Sequence, residues 1–159
     1  MMPFDLPPLR PDIVFRRLGD GPDDRDLAFE FKRAALGPHI VSRWGWDEGL
    51  QRDLHRRRFA EKPFHAIRRG TEDIGTLSVQ PLADHVRFGE FYIRPDQQGR
   101  GTGTRVLRHC LALADALGLP VRLEHLQWNP VGGLYRRHGF AEVGRSDIHV
   151  FLERPVGAG

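Results

Sequence analysis

Residues 91–107, which read FYIRPDQQGRGTGTRVL, carry the most informative local pattern of the chain. It closes a run of β-prone residues and opens an apolar pattern of helical period, so it predicts a strand, a glycine-rich turn and a helix. Glycines at 99, 101 and 103 let successive backbone N–H groups converge on one point. The N-terminus of the following helix adds unpaired donors and positive potential there, so the stretch predicts a phosphate site.

Spacing separates the nucleotide-binding motifs that this turn could represent. A Walker loop requires Gly-Lys-Ser/Thr, and this region contains no lysine. A dinucleotide fingerprint requires a third glycine at position 104, which is Thr104. For a glycine-rich turn taken alone, a simple connection between strand and helix remains open.

The periodicity of the rest of the chain predicts a layered fold. Strands are predicted at residues 12–18, 64–68, 74–80, 86–93, 121–126, 141–144 and 148–152. Helices are predicted from Asp23 to a stop at Gly37 and Pro38, from an Asp47 cap to the Arg56–Arg58 run, over 101–117, and around Tyr135. This order predicts an α/β (α+β) fold with a mixed, mainly antiparallel sheet flanked by helices.

Length and composition limit the organisation of the chain. Its 159 residues predict a single domain, assigned to residues 12–155, after a proline-rich tail at 1–11 that is packed on the surface or loose. The formal charge of +3 comes from 24 basic and 21 acidic residues, too mild for a nucleic-acid partner. No secretory signal or membrane-length window appears, and the single Cys110 excludes an internal disulfide, so a cytoplasmic protein without a membrane partner is expected.

A second motif follows the loop at a distance. Asn129-Pro130 precedes Leu134-Tyr135-Arg136-Arg137-His138-Gly139-Phe140. Together with Gln98 to Gly103, these residues resemble the Q/R-x-x-G-x-G/A and N-x-x-A-x-x-L-Y-x-x-x-G-F segments of the GCN5-related N-acetyltransferase (GNAT) superfamily. The resemblance is carried by residues 89–140 and implies a GNAT-like acyl-CoA N-acyltransferase fold.

The resemblance also implies a function and a donor. The expected reaction moves the acetyl group of acetyl-CoA to a primary amine, on a small molecule or a peptide, by direct attack in a ternary complex without a metal. The pyrophosphate is expected on the loop amides, and the pantetheine along the strand; the residues are Gln98, Gly99, Arg100, Gly101, Thr102, Gly103, Phe91, Tyr92 and Ile93. A homodimer is implied by analogy. The alternative is an inactive acetyl-CoA-binding or regulatory module.

Two residues are the catalytic candidates. In the family, the tyrosine at the position of Tyr135 gives a hydrogen bond or proton to the coenzyme sulfur; its alternative role is packing. Glu90 is the candidate base, or else a strand glutamate paired with a nearby arginine. Glu124 could substitute as base, and His125 is either a satisfied core histidine or a base. Asn129 contacts the coenzyme arm, caps the short helix, or does both.

Several further residues have two interpretations each. Trp44, Trp46 and Asp47 are candidates for the acceptor site, with core packing and an N-cap as the alternative. Cys110 lies on the apolar side of its helix, where an inert buried thiol is expected. Gly132 and Gly133 are poor helix formers, which predicts that the short helix is frayed or close-packed.

Overall fold

The structure is a computed structural model that describes residues 5–127, 129 and 131–159, without the side chains of His39, Ser42, Arg43 and Trp44. Three features of the sequence analysis therefore lie outside the described residues. They are the first four residues of the predicted tail, Pro130 of the second motif, and the side chain of Trp44.

Within the residues that the structure describes, seven strands form one mixed sheet in the order β1-β2-β3-β4-β5-β7-β6. The strands are β1 (Ile13–Arg17), β2 (His65–Arg69), β3 (Glu72–Pro81), β4 (Val86–Ile93), β5 (Val121–Leu126), β6 (Ala141–Arg145) and β7 (His149–Arg154). The pairs β1–β2, β2–β3, β5–β7 and β6–β7 are antiparallel, whereas β4 and β5 are parallel. The predicted fold class is confirmed.

In the described part of the chain four helices flank the sheet, and the sequence explains where most of them begin and end. They are α1 (Pro22–Trp44), α2 (Glu48–Glu61), α3 (Thr102–Leu117) and α4 (Gly132–Arg137), with a single turn at Pro95–Gln97. Asp47 caps α2 as predicted, since its carboxylate accepts a hydrogen bond from the Leu50 N–H at 3.0 Å. Gly118, with φ of 71°, closes α3 in the left-handed conformation.

The predicted end of α1 at Gly37 and Pro38 is wrong, because the helix continues to Trp44. Proline removes one helical hydrogen bond and favours a break at this point. However, Leu36 and Ile40 on either side of it are both buried. Burial of this apolar face outweighs the local penalty of the proline, which is how tertiary packing commonly overrides propensity.

The chain divides into two compact units, the first of which comprises the residues up to Ser78 together with Glu90–Arg100. Its elements are β1, α1, α2, β2, most of β3 and the end of β4. Rings of Phe29, Phe59 and Phe64 surround the buried His55 at centroid distances of 5.4 to 5.9 Å, so α1, α2 and the start of β2 share one core. From the predicted tail, Leu6 is buried and Leu9 bridges to Ile13.

The second unit comprises Val79–Gly89 and Gly101–Gly159. Its core is formed by the apolar face of α3, where Val106, Leu107 and Ala114 are buried, together with strand residues such as Val121 and Leu152. The chain end is held by Arg154, whose guanidinium donates to both carboxylate oxygens of Asp115 at 2.8 and 3.1 Å. Nothing among the described helices has the length and apolar character needed to cross a membrane.

Candidate active site

The backbone of β4 changes course at Glu90. This residue has φ of 48°, a left-handed conformation that costs energy for any residue with a Cβ. Before it, β4 pairs in parallel with β5 at Val86 and Arg87. Strained residues of this kind persist only when their surroundings fix them, and they concentrate at functional sites.

Gly75 on β3 fixes the neighbouring part of β4. A Cβ at this position would collide with the carbonyl oxygen of Tyr92 and would lie 3.2 Å from the Cα of Ile93. The Ile74 carbonyl also accepts a hydrogen bond from the Arg94 N–H at 2.8 Å. The two backbones can therefore approach this closely only because residue 75 has no side chain.

The Glu90 carboxylate is buried in a cluster of charged groups within the first unit. Its side chain is 6% exposed, and its Oε1 lies 3.4 Å from Lys62 Nζ. Its Oε2 accepts a hydrogen bond from the Tyr92 hydroxyl at 3.3 Å. Burial alone would raise the pKa of Glu90, but the positive charges of Lys32, Lys62 and Arg58 outweigh burial and hold it below its ordinary value.

This environment bears on both interpretations of Glu90. The alternative interpretation had it paired with an arginine in solvent, whereas its direct partner is Lys62 and the carboxylate is nearly buried. A lowered pKa means that Glu90 is ionised and free to accept a proton at pH 7, although it holds that proton weakly. Its role as base stays a prediction.

The loop after β4 has the backbone geometry of an anion site. Gly99 and Gly101 have φ of 76° and 78°, conformations that favour glycine. Gln98 anchors the loop, since its side-chain amide donates to the Ile93 carbonyl at 2.8 Å. Thr102 is buried as the first residue of α3, and Gly103 follows it inside the first turn.

Space around the loop is compatible with a diphosphate. A Cβ at Gly99 or at Gly101 would meet no atom within 4 Å, so the backbone there is open. Gly101 precedes α3 and has no side chain to cap the first-turn N–H groups. A helix start of this kind combines unshielded donors with positive potential, so the residues present fit a bound pyrophosphate.

Tyr135 lies in the second unit, where it is 5% exposed. Its ring meets those of Phe88 and Phe140 edge-on at centroid distances of 6.4 and 5.5 Å, and it stacks with His125 at 6.4 Å. Burial raises the pKa of its phenol above the ordinary value. The phenol therefore remains protonated at neutral pH, as a proton donor must be, and the same contacts serve packing.

His125 is held through one of its two ring nitrogens. Its Nδ1 lies 2.8 Å from the Leu126 carbonyl oxygen, which can only accept, so Nδ1 carries the proton. Its buried Nε2 has no hydrogen-bond partner among the described residues. A Cβ at Gly132 would come within 3.3 Å of this nitrogen, so the start of α4 is close-packed against the ring. Of the two interpretations of His125, a core histidine with both ring nitrogens hydrogen-bonded therefore accounts for Nδ1 but not for Nε2.

The remaining site candidates lie in different surroundings. Asn129 Oδ1 accepts from the Val131 N–H at 3.2 Å, next to the start of α4, while Glu124 is exposed on β5. Trp46 donates its indole N–H to Glu48 at 2.7 Å, and Asp47 serves as the cap of α2. The acceptor-site role of Trp44, Trp46 and Asp47 stays a prediction.

Comparison with known proteins decides the family. The family model for the acetyltransferase (GNAT) domain matches residues 60–142, just over half of the chain. The chain belongs to the GNAT acetyltransferases. The match includes Lys62, Glu90, the whole Gln98–Gly103 loop and Tyr135.

Solved structures of other GNAT proteins share the fold at low sequence identity. The PaiA N-acetyltransferase of Thermoplasma acidophilum, in complex with coenzyme A, is 16% identical over 91% of this chain and 99% of that one, with a TM-score of 0.71. An acetyltransferase of Thermus thermophilus is 20% identical over 91% and 97%, with a TM-score of 0.68. A ribosomal-protein alanine N-acetyltransferase of Escherichia coli is 16% identical over 92% and 96%, with a TM-score of 0.65. At identities this low, the similarity to these structures shows a shared fold and nothing further.

Sequence reasoning missed three residues that surround Glu90 and the end of β4: Lys32, Lys62 and Gly75. An isolated glycine inside a strand pattern can signal a close backbone approach, so Gly75 was accessible to that argument. Lys32 carried a weaker signal, because it is a charged residue next to the apolar Phe31 on α1. Cys110 is buried as expected, and burial raises the pKa of its thiol to about 12, which makes it a poor nucleophile.

Proposed function

We propose that this GNAT domain transfers the acetyl group of acetyl-CoA to a primary amine in a ternary complex. The observation that carries the proposal is the loop with left-handed glycines at 99 and 101, open above both, directly before α3. Backbone amides of Gln98 to Gly103 would hold the pyrophosphate. The strand end from Phe91 to Ile93 would pair with the pantetheine, in the manner of an added strand.

The bound donor supplies an acetyl thioester, and the protein supplies positioning and proton transfer. An alkylammonium must lose a proton before its nitrogen can attack, and the ionised Glu90 accepts that proton directly or through water. Tyr135 gives a proton to the departing sulfur, a role that its protonated phenol permits. Asn129 contacts the coenzyme arm in addition to its bond with the Val131 N–H.

The direct test measures free thiol released from acetyl-CoA with polyamines, aminoglycosides, amino acids and peptides as acceptors. We expect amine-dependent release with one acceptor class, together with saturable binding of coenzyme A by calorimetry. Binding without release on the whole panel would favour the inactive module. Absence of binding would refute the donor, and with it the proposed reaction.

We expect Gly101→Ala to weaken coenzyme A binding about tenfold. An alanine at a φ of 78° is strained by about 1 kcal/mol, and its methyl group enters the open space above the loop. The measurement is calorimetric titration of coenzyme A. The matched control is Gly118→Ala at the other end of α3, where φ is 71° and a Cβ also meets nothing. Equal weakening by both variants would show that strain alone is responsible.

A further inference from the structure

The two lysines of this chain lie in one cluster. Among its 24 basic residues the chain uses lysine twice, at 32 and 62, and arginine everywhere else. Lys62 pairs with Glu90, and the charge of Lys32 also acts on Glu90. The cluster thus contains Glu90, Lys32, Lys62, Arg58 and Tyr92, all within the first unit.

Lys32 is a buried cation that accounts for a second unusual feature of this cluster. It is 2% exposed, and its Nζ has no hydrogen-bond partner among the described residues. Burial lowers its pKa to about 8, so most of it is still an ammonium at pH 7. A buried charge of this kind is costly unless something pairs with it.

Glu90 offsets only part of that cost. Its two oxygens already face Lys62 Nζ at 3.4 Å and the Tyr92 hydroxyl at 3.3 Å. Against this carboxylate, the positive charges of Lys32, Lys62 and Arg58 act together. His55, the nearby ring, adds no charge of either sign at pH 7, since burial lowers its pKa and favours the neutral imidazole. The positive charges of this cluster therefore exceed its negative charge, so the binding of one more anion would be electrostatically favourable.

We propose that Lys32 binds a carboxylate of the acceptor, so that the acceptor class is amino acids rather than simple amines. This inference rests on the proposed function and specifies its substrate. The ammonium of an amino acid faces Glu90 while its carboxylate faces the Lys32 ammonium, which matches opposite charges at both ends. Lys62 and Tyr92, which both contact Glu90, are partly exposed, so the cluster is not sealed from solvent.

With these groups, the bonds and protons of the proposed acetyl transfer are all accounted for. The new bond joins the acceptor nitrogen to the acetyl carbon, and the bond that breaks joins that carbon to sulfur. The ammonium nitrogen loses two protons in total. One leaves through Glu90 to solvent, and the other compensates, through solvent, for the proton that Tyr135 gives to the sulfur. The carboxylate on Lys32 takes no part in bond making and serves to position the amine.

The first test uses NMR of the side-chain Cε–Hε groups in protein labelled with ¹³C-lysine. Two lysines give two signals, and Lys62→Arg assigns them. With coenzyme A present, we expect L-alanine to shift the Lys32 signal and to raise the pH at which it titrates, whereas ethylamine, which lacks the carboxylate, does neither. A Lys32 signal that ignores amino acids, as expected if Nζ merely holds a water molecule, would overturn the proposal.

The second test compares thiol release for L-amino acids and for amines that differ only by the missing carboxylate. We expect kcat/KM to favour the amino acid about tenfold or more, the usual scale of a hydrogen bond to a charged group. Lys32→Met should abolish this preference, so that the ratio of kcat/KM between the amino acid and the matching amine falls to about one. Arg122→Met, which removes one exposed positive charge on β5, is the control and should retain it.

The outcomes separate this inference from the proposed function. Thiol release without any preference for a carboxylate would refute the role of Lys32 and leave the acetyltransferase proposal intact. Absence of coenzyme A binding and of thiol release with every amine would refute the acetyltransferase proposal itself. A Lys32 shift with amino acids, in protein that releases no thiol, would support the carboxylate site alone.

Discussion

Replacing Glu90 with glutamine is expected to lower the free energy of unfolding by about 3 kcal/mol. The variant keeps the shape of the side chain but removes a carboxylate on which Lys32, Lys62 and Arg58 all act. Removing one partner of a buried ion pair leaves an uncompensated buried charge, and such losses cost about 3 to 5 kcal/mol. Urea denaturation followed by circular dichroism measures the change.

Two further variants make the interpretation specific. Glu153→Gln removes a carboxylate from the exposed pair with Arg122, where solvent screening should leave stability nearly unchanged. Lys32→Met in the Glu90→Gln background should recover much of the loss, because it removes the charge that the carboxylate had offset. If Glu90→Gln proves as stable as the wild type, the buried charge cluster does not exist as described.

Replacing Tyr135 with phenylalanine is expected to lower kcat about 100-fold. The change removes one hydroxyl from a ring that contacts Phe88, Phe140 and His125, and it retains those ring contacts. A positioned general acid accelerates a reaction on the order of 10² to 10⁴-fold. Because a thiolate is a good leaving group and needs less help from an acid, we expect the lower end of this range. Thiol release under saturating acetyl-CoA and acceptor measures kcat.

Coenzyme affinity decides between the two roles of Tyr135. If the hydroxyl acts as a proton donor, the variant binds coenzyme A as the wild type does and loses rate. Since burial raises the pKa of the phenol, the wild-type rate should show no loss from Tyr135 ionisation up to about pH 9. An unchanged kcat when chemistry limits the rate would leave the tyrosine with a packing role only.

Local patterns in the sequence were sufficient for the central part of this domain. The strand at 86–93, the turn with glycines at 99 and 101, and the strand at 121–126 have the predicted bounds, because each is fixed by nearby residues. The continuation of α1 beyond Pro38 was not predicted, since it depends on burial against other elements. Propensity and periodicity contain no information on that kind of contact.

The charge cluster around Glu90 could not be predicted from the sequence, for a similar reason. Lys32 lies on α1, Lys62 directly after α2 and Glu90 on β4, so 30 positions separate the first two along the chain and 28 the last two. A single sequence gives no sign that such distant residues meet. The left-handed conformation of Glu90 was equally hidden, because it arises from the surrounding sheet and from no preference of glutamate.

Diversification of this domain is constrained at position 75. A residue that contributes no functional group nevertheless determines where the main chain at Tyr92 and Ile93 can run. Evolutionary drift or mutagenesis at this point would displace that segment as a whole. Variant libraries of this protein are therefore best built with residue 75 held as glycine.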